Sequence, residues 1–308
     1  MTRAVVFAYH NVGRRCLAAL LGAGVEVPLV VTHEDNPGER IWFASVAALA
    51  AEHDLPAITP ADPNVQDVVA RVEALEPDFL FSFYYRQMLG ERLLAAPGRG
   101  ALNMHGSLLP RYRGRVPVNW AVINGESETG ATLHYMVAKP DAGDIVDRQA
   151  VPIQPDDTAG EVFDKVTVAA EMVLHRSLPG LIAATAPRIP QDLSAGSYFG
   201  GRRPEDGRID WSAPARRVHD LVRGVAPPYP GAYTELGGGR LRVLRTARME
   251  GRRGPHPRPA LFAESGRCYA QCGDGALLRL LDLEFAGRKI PPADLPALLG
   301  AGVIALGG

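Results

Sequence analysis

Through the first 185 residues, short apolar runs rich in Val, Leu and Phe alternate with stretches whose apolar positions recur every three to four residues. The first kind fits a strand buried on both faces, the second an amphipathic helix. The pattern predicts a strand over 4–8, a helix over 14–23, a strand over 25–32 and a helix over 44–53. A helix over 65–75, a strand over 79–83, a short helix after Gly90 and a strand over 100–104 continue the series. A helix over 116–124, a strand over 131–137 and a long helix over 158–184 complete it. Strands separated by helices read as βαβ units, so the expected class is α/β with an open, mostly parallel, Rossmann-like sheet.

After the long helix the pattern changes. Residues 186–208 are rich in Pro, Gly and charge, the composition of a linker. One helical segment over 213–224 follows, then short β-type runs at 232–236, 241–246, 260–264, 267–271 and 276–285, separated by turn signals such as Gly237-Gly238-Gly239. That succession predicts a smaller C-terminal antiparallel β-barrel, OB-like in kind. The expected organisation is a catalytic domain over 1–185, a linker over 186–208 and a barrel-like domain over 209–308.

Composition narrows the function by exclusion. With 33 Lys and Arg against 34 Asp and Glu, the net charge of -1 provides no global field to collect nucleic acid or an anionic membrane. The opening MTRAVVFAYHNVG holds one short apolar run, and no stretch approaches the ~20 apolar residues of a membrane span, so a cytoplasmic protein is expected. Cys16, Cys268 and Cys272 are odd in number and lack CxxC spacing, so they are expected as reduced thiols, with no metal site. The first strand-helix junction, FAYHNVGRRC, carries Gly13 alone where a dinucleotide fold carries GxGxxG. GxxxxGK[ST], HExxH and GxSxG are missing as well, which removes the main support for NTPase, zinc-protease and hydrolase chemistry.

What remains is a constellation at a strand end. The strand GALNM leads into Asn103-Met104-His105-Gly106-Ser107-Leu108-Leu109-Pro110, and period-two alternation puts Asn103 and His105 on one face. Pro140-Asp141-Ala142-Gly143-Asp144 follows the strand LHYMV, so a carboxylate on a Gly-containing loop is expected at the same edge. Together Asn, His and Asp suit attack on a carbonyl. An amide donates to a developing oxyanion, an imidazole donates or relays a proton, and a carboxylate orients the imidazole and raises its pKa. Spacing alone favours a hydrogen-bonded structural pair. His134, with no third ligand at metal spacing, reads as a structural histidine, and His10, His33 and His219 form no readable constellation.

The run NMHGSLLPRYRGRVPVNWAVINGESETGATLHYM, followed by DAGDIV, resembles the folate-dependent formyltransferases, and the likeness extends from FAYHNVG to IDWS and PPYPGAY. Through THEDNPGE, FSFYYRQML and LNMHGSLLPRYRGRVPVNW it is most similar to the domain that formylates UDP-4-amino-4-deoxy-L-arabinose, and hence to a role in lipid A modification and polymyxin resistance. The resemblance implies that Asn103 stabilises the transition state, His105 donates the proton and Asp141 tunes His105. It also implies a 10-formyltetrahydrofolate co-substrate along Gln87, Met88 and Leu89, near Arg115, and under Val137, Ala138, Lys139, Pro140 and Asp141. Arg111, Arg113 and Arg115 read equally as a solvated face, and Met88 and Leu89 as ordinary core.

The expected partner is a small nucleotide sugar, with Asn11, Asn119, Arg202, Arg203 and Tyr229 as candidate contacts. Methionyl-tRNA is the alternative acceptor. The short, acidic THEDNPGERIWFASV segment argues against it, because phosphate binding requires Lys and Arg. Proteins of this likeness often carry a fused sugar decarboxylase. Ending at Gly308, this chain is expected to lack oxidative decarboxylation.

Overall fold

The computed structural model describes residues 1–298, 300 and 302–307. The residues gather into two units that interleave along the chain. The first comprises Met1–Pro117, Thr129–Val151 and Asp164–Gly200, the second Val118–Glu128, Pro152–Phe163 and Gly201–Gly308.

The chain begins with β1 (Arg3–Ala8), α1 (His10–Gly22), β2 (Glu26–Val31), α2 (Val46–Glu52), β3 (Ala57–Ile58), α3 (Gln66–Ala74), β4 (Phe79–Phe83), α4 (Glu91–Ala95) and β5 (Gly100–His105). The five strands lie in the order β3-β2-β1-β4-β5, each neighbouring pair parallel. β4 is buried at every position and β1 at every position after Arg3, which is why both read as near-continuous apolar runs, interrupted in β4 only by Ser82. Gly13 brings α1 down onto the sheet, since a Cβ there would lie 3.1 Å from both Ala8 Cβ and Phe83 O. The strand order reverses between β1 and β4. The crevice outside such a reversal, at the C-terminal strand ends, is where open α/β sheets take ligands.

Next come β6 (Arg113–Gly114), α5 (Pro117–Ile123), β7 (Glu128–Tyr135), β8 (Ile145–Pro152), α6 (Ala159–Ile182) and β9 (Tyr198–Phe199). The sheet continues past β5 with β7 and then β8. β7 is the strand expected near 131–137, and it runs antiparallel to β5, opposing Asn103 with His134 and His105 with Thr132. β8 escaped the sequence pattern because its last six residues, DRQAVP, alternate half-exposed and exposed positions and read as a loop. Residues 186–208 carry more than a connection. Ile189 pairs with Ile145, and β9 pairs in parallel with β6.

The second unit contains α7 (Ala215–Val225) and the strands β10 (Ala232–Leu236), β11 (Gly239–Arg253), β12 (Ala260–Glu264), β13 (Arg267–Gln271), β14 (Ala276–Phe285) and β15 (Arg288–Ile290), then α8 (Leu295–Leu298) and β16 (Val303–Ala305). The strands form an antiparallel sheet in the order β10-β11-β14-β13-β12-β16, with β15 beside β14. The run expected at 241–246 is the middle of the 15-residue β11. One face of α7, with Val218 and Val222, packs with Trp211, Leu241, Val243 and Leu278 in a single apolar cluster. The three cysteines are buried free thiols. No helix among the described residues is long and apolar enough to cross a membrane.

His219, on α7, is buried in this unit. Its Nε2–H donates to the Pro155 carbonyl at 3.1 Å, which leaves Nδ1 to accept from the Thr246 hydroxyl at 2.8 Å. This geometry uses the neutral ring, and burial pushes its pKa below the ordinary 6.5. Burial lowers His10 and His33 in the same way. The unfolded chain therefore takes up protons below about pH 6.5 that the folded chain refuses, so stability falls as pH drops from there. Calorimetry should find the melting temperature falling between about pH 7 and pH 5, and falling less steeply in His219→Gln. An equally steep fall in the variant would remove His219 from the account.

Candidate active site

β5 delivers two polar side chains to one face. Met104 points the other way and is buried, while Asn103 and His105 share the opposite face. The antiparallel register of β7 sets His134 directly across from Asn103 on that face, and the side chains meet at 3.1 Å between Asn103 Nδ2 and His134 Nε2. His134 Nδ1 lies 2.8 Å from the Tyr135 carbonyl, which can only accept, so Nδ1 carries the proton. In the neutral ring Nε2 then accepts from the Asn103 amide. This orients Asn103, leaving its second N–H and its oxygen unspent by this bond. His134 is thus the satisfied histidine that the sequence led one to expect, and it also touches Asn103 and Asp141. No feature of a lone strand reveals this, because it follows from the direction of β7.

That direction also changes how Asp141 arrives. β7 ends beside Leu102 and Ala101, away from the C-terminal end of β5, so residues 136–144 must turn back over the sheet face. The turn is tight: a Cβ on Gly143 would lie 2.0 Å from the Tyr135 carbonyl oxygen. It brings Asp141 Oδ1 to 3.5 Å from His105 Nδ1 and 3.6 Å from His134 Nε2, while the Gly114 amide donates to Oδ2 at 2.8 Å. Burial alone would push this carboxyl up. His105 first, and with it the Gly114 amide, outweigh burial and hold it well below the usual carboxylate range. Asp141 is therefore an anion at any ordinary pH.

His105 is 6% exposed, and its Nε2–H donates to the Tyr112 carbonyl at 2.8 Å. Its Nδ1 faces the Asp141 carboxylate. A lone pair there meets the anion unfavourably, whereas a proton makes the contact attractive. Ser107, Leu109 and Thr132 hold the intervening turn: the Ser107 hydroxyl donates to the Arg111 carbonyl at 2.7 Å, and the Thr132 hydroxyl donates to the Ser107 carbonyl at 2.6 Å. Left-handed backbone recurs here, as it does at turns elsewhere such as Asp54 and Ser265. His10, Tyr84, Tyr112, Val116 and Asp141 all adopt positive φ, between 48° and 69°, without being glycine. Such residues typically cost about 1–3 kcal/mol each and cluster at functional sites.

The other expected residues divide by place. In the first unit, Gln87 donates to the Ala61 carbonyl at 2.7 Å, Met88 is 60% exposed and Leu89 belongs to the apolar core, so of the pair only Leu89 is ordinary core. Val137, Ala138, Lys139 and Arg115 are exposed, and Pro140 is half-buried. Arg113 is no solvated charge: it is buried, and its Nε has no hydrogen-bond partner. Asn11 accepts from the Ala44 amide at 2.8 Å. Asn119, Arg202, Arg203 and Tyr229 belong to the second unit. There the Asn119 amide donates to the Gly224 carbonyl at 2.9 Å, Arg202 lies over the Trp120 ring, the Arg203 backbone amide donates to Asp206, and the Tyr229 backbone amide donates to the Ala226 carbonyl. The sequence missed an aromatic wall at the strand ends. The His10 ring stacks on Phe43 at 3.9 Å and meets Trp42 edge-on at 4.6 Å, and a Cβ on Gly106, beside His105, would lie 1.9 Å from the Tyr84 hydroxyl. Among the described residues no group of three His, Cys, Asp or Glu side chains is placed to hold a metal ion.

The chain matches the formyl transferase family over residues 3–178 and the formyl transferase C-terminal domain over residues 202–295. It belongs to that family. Among solved structures it is similar to the N-formyltransferase from Helicobacter canadensis in complex with folinic acid and dTDP-3-aminofucose, with a TM-score of 0.75 and 18% identity over 94% of this chain and 100% of that one. A 4-N formyltransferase from Francisella tularensis aligns with a TM-score of 0.62 and 20% identity over 75% of this chain and 91% of that one. HypX from Aquifex aeolicus in complex with tetrahydrofolic acid aligns with a TM-score of 0.65 and 18% identity over 96% of this chain, which spans 47% of HypX. At these identities the likeness is one of fold.

His134→Ala should leave the melting temperature near that of the wild type and lower formyl-transfer turnover about tenfold, less than the ~10²–10³ lost with a direct oxyanion donor. Turnover unchanged in a folded variant would mean that Asn103 needs no anchor.

Proposed function

We propose that this formyltransferase moves the formyl group of 10-formyltetrahydrofolate onto the amine of a nucleotide-linked amino sugar, with UDP-4-amino-4-deoxy-L-arabinose as acceptor. The observation that carries the reading is the gathering of Asn103, His105 and the anionic Asp141 on one sheet face. The co-substrate supplies an activated formyl carbon. The residues assigned to it suit a flat ring with an acidic tail: Met88 and Val137 are exposed apolar side chains and Arg115 is an exposed cation.

A neutral amine forms the new C–N bond, and negative charge grows on the formyl oxygen. The N–H of Asn103 not used by His134 donates to that oxygen. His105 presents its Nε2–H, which rests on the Tyr112 carbonyl in the free chain, while a proton on Nδ1 is balanced by Asp141. The bond to the folate nitrogen then breaks, and the proton lost by the amine ends on that nitrogen. Support for a sugar acceptor comes from the Helicobacter canadensis relative, whose structure holds dTDP-3-aminofucose, and from the short acidic segment at 32–39. A role in lipid A modification and polymyxin resistance rests on that particular acceptor.

Asn103→Ala should reduce turnover about 10²–10³-fold with folding intact. Turnover near wild type would refute the role given to Asn103. The acceptor is tested by a panel of UDP- and dTDP-linked amino sugars and methionyl-tRNA, with products identified by mass spectrometry. Expected is transfer to UDP-4-amino-4-deoxy-L-arabinose with weak salt dependence, since a diphosphate needs only one or two cations. A tRNA acceptor would show log affinity falling by about 0.9 per neutralised phosphate with log salt. Efficient formylation of methionyl-tRNA with no transfer to any amino sugar would overturn the acceptor and leave only the transfer chemistry.

A further inference from the structure

We propose that residues 189–199 form a strap that sets the distance between His105 and Asp141, with Gln191 as its positioning residue. The proposal rests on the roles given above to His105 and Asp141, and no sequence signal marked this stretch as anything but a linker.

The strap grips both loops that build the site. At one end Ile189 and Ile145 exchange backbone hydrogen bonds of 2.8 and 2.9 Å. Two residues on, the Gln191 amide donates to the carbonyls of Asp141 at 3.1 Å and Gly143 at 2.6 Å. At the other end Ser197 accepts from the Tyr112 amide on its hydroxyl at 2.9 Å and from the Arg113 amide on its carbonyl at 3.0 Å. The Phe199 carbonyl accepts from the Arg115 amide at 2.9 Å, and the Phe199 ring stacks on Tyr112 at 5.0 Å and 11°. The approach is as close as backbones allow. A Cβ on Gly196 would lie 2.3 Å from the Pro110 oxygen, and one on Gly114 would lie 2.2 Å from the Phe199 oxygen.

Between these grips lie the contacts that define the catalytic pair. The Tyr112 carbonyl takes the His105 Nε2–H, and the Gly114 amide holds Asp141 Oδ2, both at 2.8 Å. The strap is thus hydrogen-bonded to the residues that hold each member of the pair. It also secures two strained positions, Tyr112 at φ 56° and Asp141 at φ 52°, which persist only where their surroundings over-determine them.

The chemistry of the Gln191 position is specific. Two carbonyl oxygens face it, so it must present two N–H donors, which an amide supplies and a carboxylate or an aliphatic chain does not. Its own Oε1 is buried without a hydrogen-bond partner. The carboxamide is therefore held by the two carbonyls alone, at the cost of an unsatisfied acceptor. A buried polar atom left in that state calls for a compensating role, and positioning Asp141 supplies one.

The test is Gln191→Leu. First, the Asp141 carboxyl is titrated by carbon-13 NMR in the full-length protein, its signal assigned by its loss in Asp141→Asn. In the wild type its midpoint lies below the usual carboxylate range, and in Gln191→Leu it should rise toward 3.8. Second, turnover should fall about 10- to 100-fold, the scale of a misplaced catalytic group, with both KM values little changed. Third, Gln191→Leu should cost nothing further in the Asp141→Asn background. An unmoved midpoint, or losses that simply add, would overturn the proposal. If Gln191→Leu does not fold, Ser197→Ala serves: it removes the hydroxyl grip on Tyr112, and the Asp141 midpoint should move in the same direction by less. No movement there would equally count against the strap. The titration needs no substrate, so a protein that formylates no amino sugar would refute the proposed function and leave the strap to be judged on the midpoint alone.

Discussion

A half-buried carboxylate that must stay ionised is the constraint around which the polar cluster of the first unit is arranged. Taking a charge out of water costs several kcal/mol unless opposite charge and hydrogen bonds replace the lost solvent. Asp141 obtains them from His105 at the end of β5 and the Gly114 amide on β6, and it also lies against His134 on β7. Its ionisation fixes where each of those stretches can lie. The antiparallel run of β7, the tight return at Gly143 and the unusual backbone of Asp141 follow as ways of bringing one side chain back over the face that its own strand has just left.

The same anion gives the two histidines different characters. His134 is committed by its bond to the Tyr135 carbonyl and offers its second nitrogen to Asn103, so it works through neutral hydrogen bonds. His105 gives one nitrogen to the Tyr112 carbonyl and faces the carboxylate with the other. Two imidazoles within reach of one carboxylate are thus separated, one anchoring the Asn103 amide and the other facing the anion. The separation depends on which carbonyl each ring touches, Tyr135 for one and Tyr112 for the other.

Strain is distributed in the same pattern. Left-handed backbone at His10, Tyr84, Tyr112, Val116 and Asp141 lies at strand ends and site loops, where packing and hydrogen bonds can hold it. The loop carrying Trp42 and Phe43 is fastened by a bidentate ion pair between Arg86 and Glu39 and by the Tyr9 hydroxyl donating to Asp35 at 2.7 Å. The aromatic wall is therefore preformed, which lowers the ordering cost of any ligand it receives. The barrel-like sheet of the second unit has a different economy, an apolar cluster around Trp211 with a buried neutral histidine at its edge.

The apolar runs of β1 and β4 were legible because a strand buried on both faces offers little place for a polar residue, and on β5 period two was enough to put Asn103 and His105 together. Kinship of motif carried Asp141 into the same cluster. The direction of β7 was not legible, since the side-chain pattern of a strand is the same whether its neighbour runs parallel or antiparallel. With it went His134, whose role comes from the residue opposite. β8 hid behind the polar alternation of a half-exposed strand. The strap hid for the opposite reason: Pro and Gly serve a loose linker and a backbone pressed against another backbone alike. Local chemistry and periodicity follow from neighbours along the chain and can be read there. Register, strand direction and close backbone approach depend on residues tens of positions away, and only the folded chain decides them.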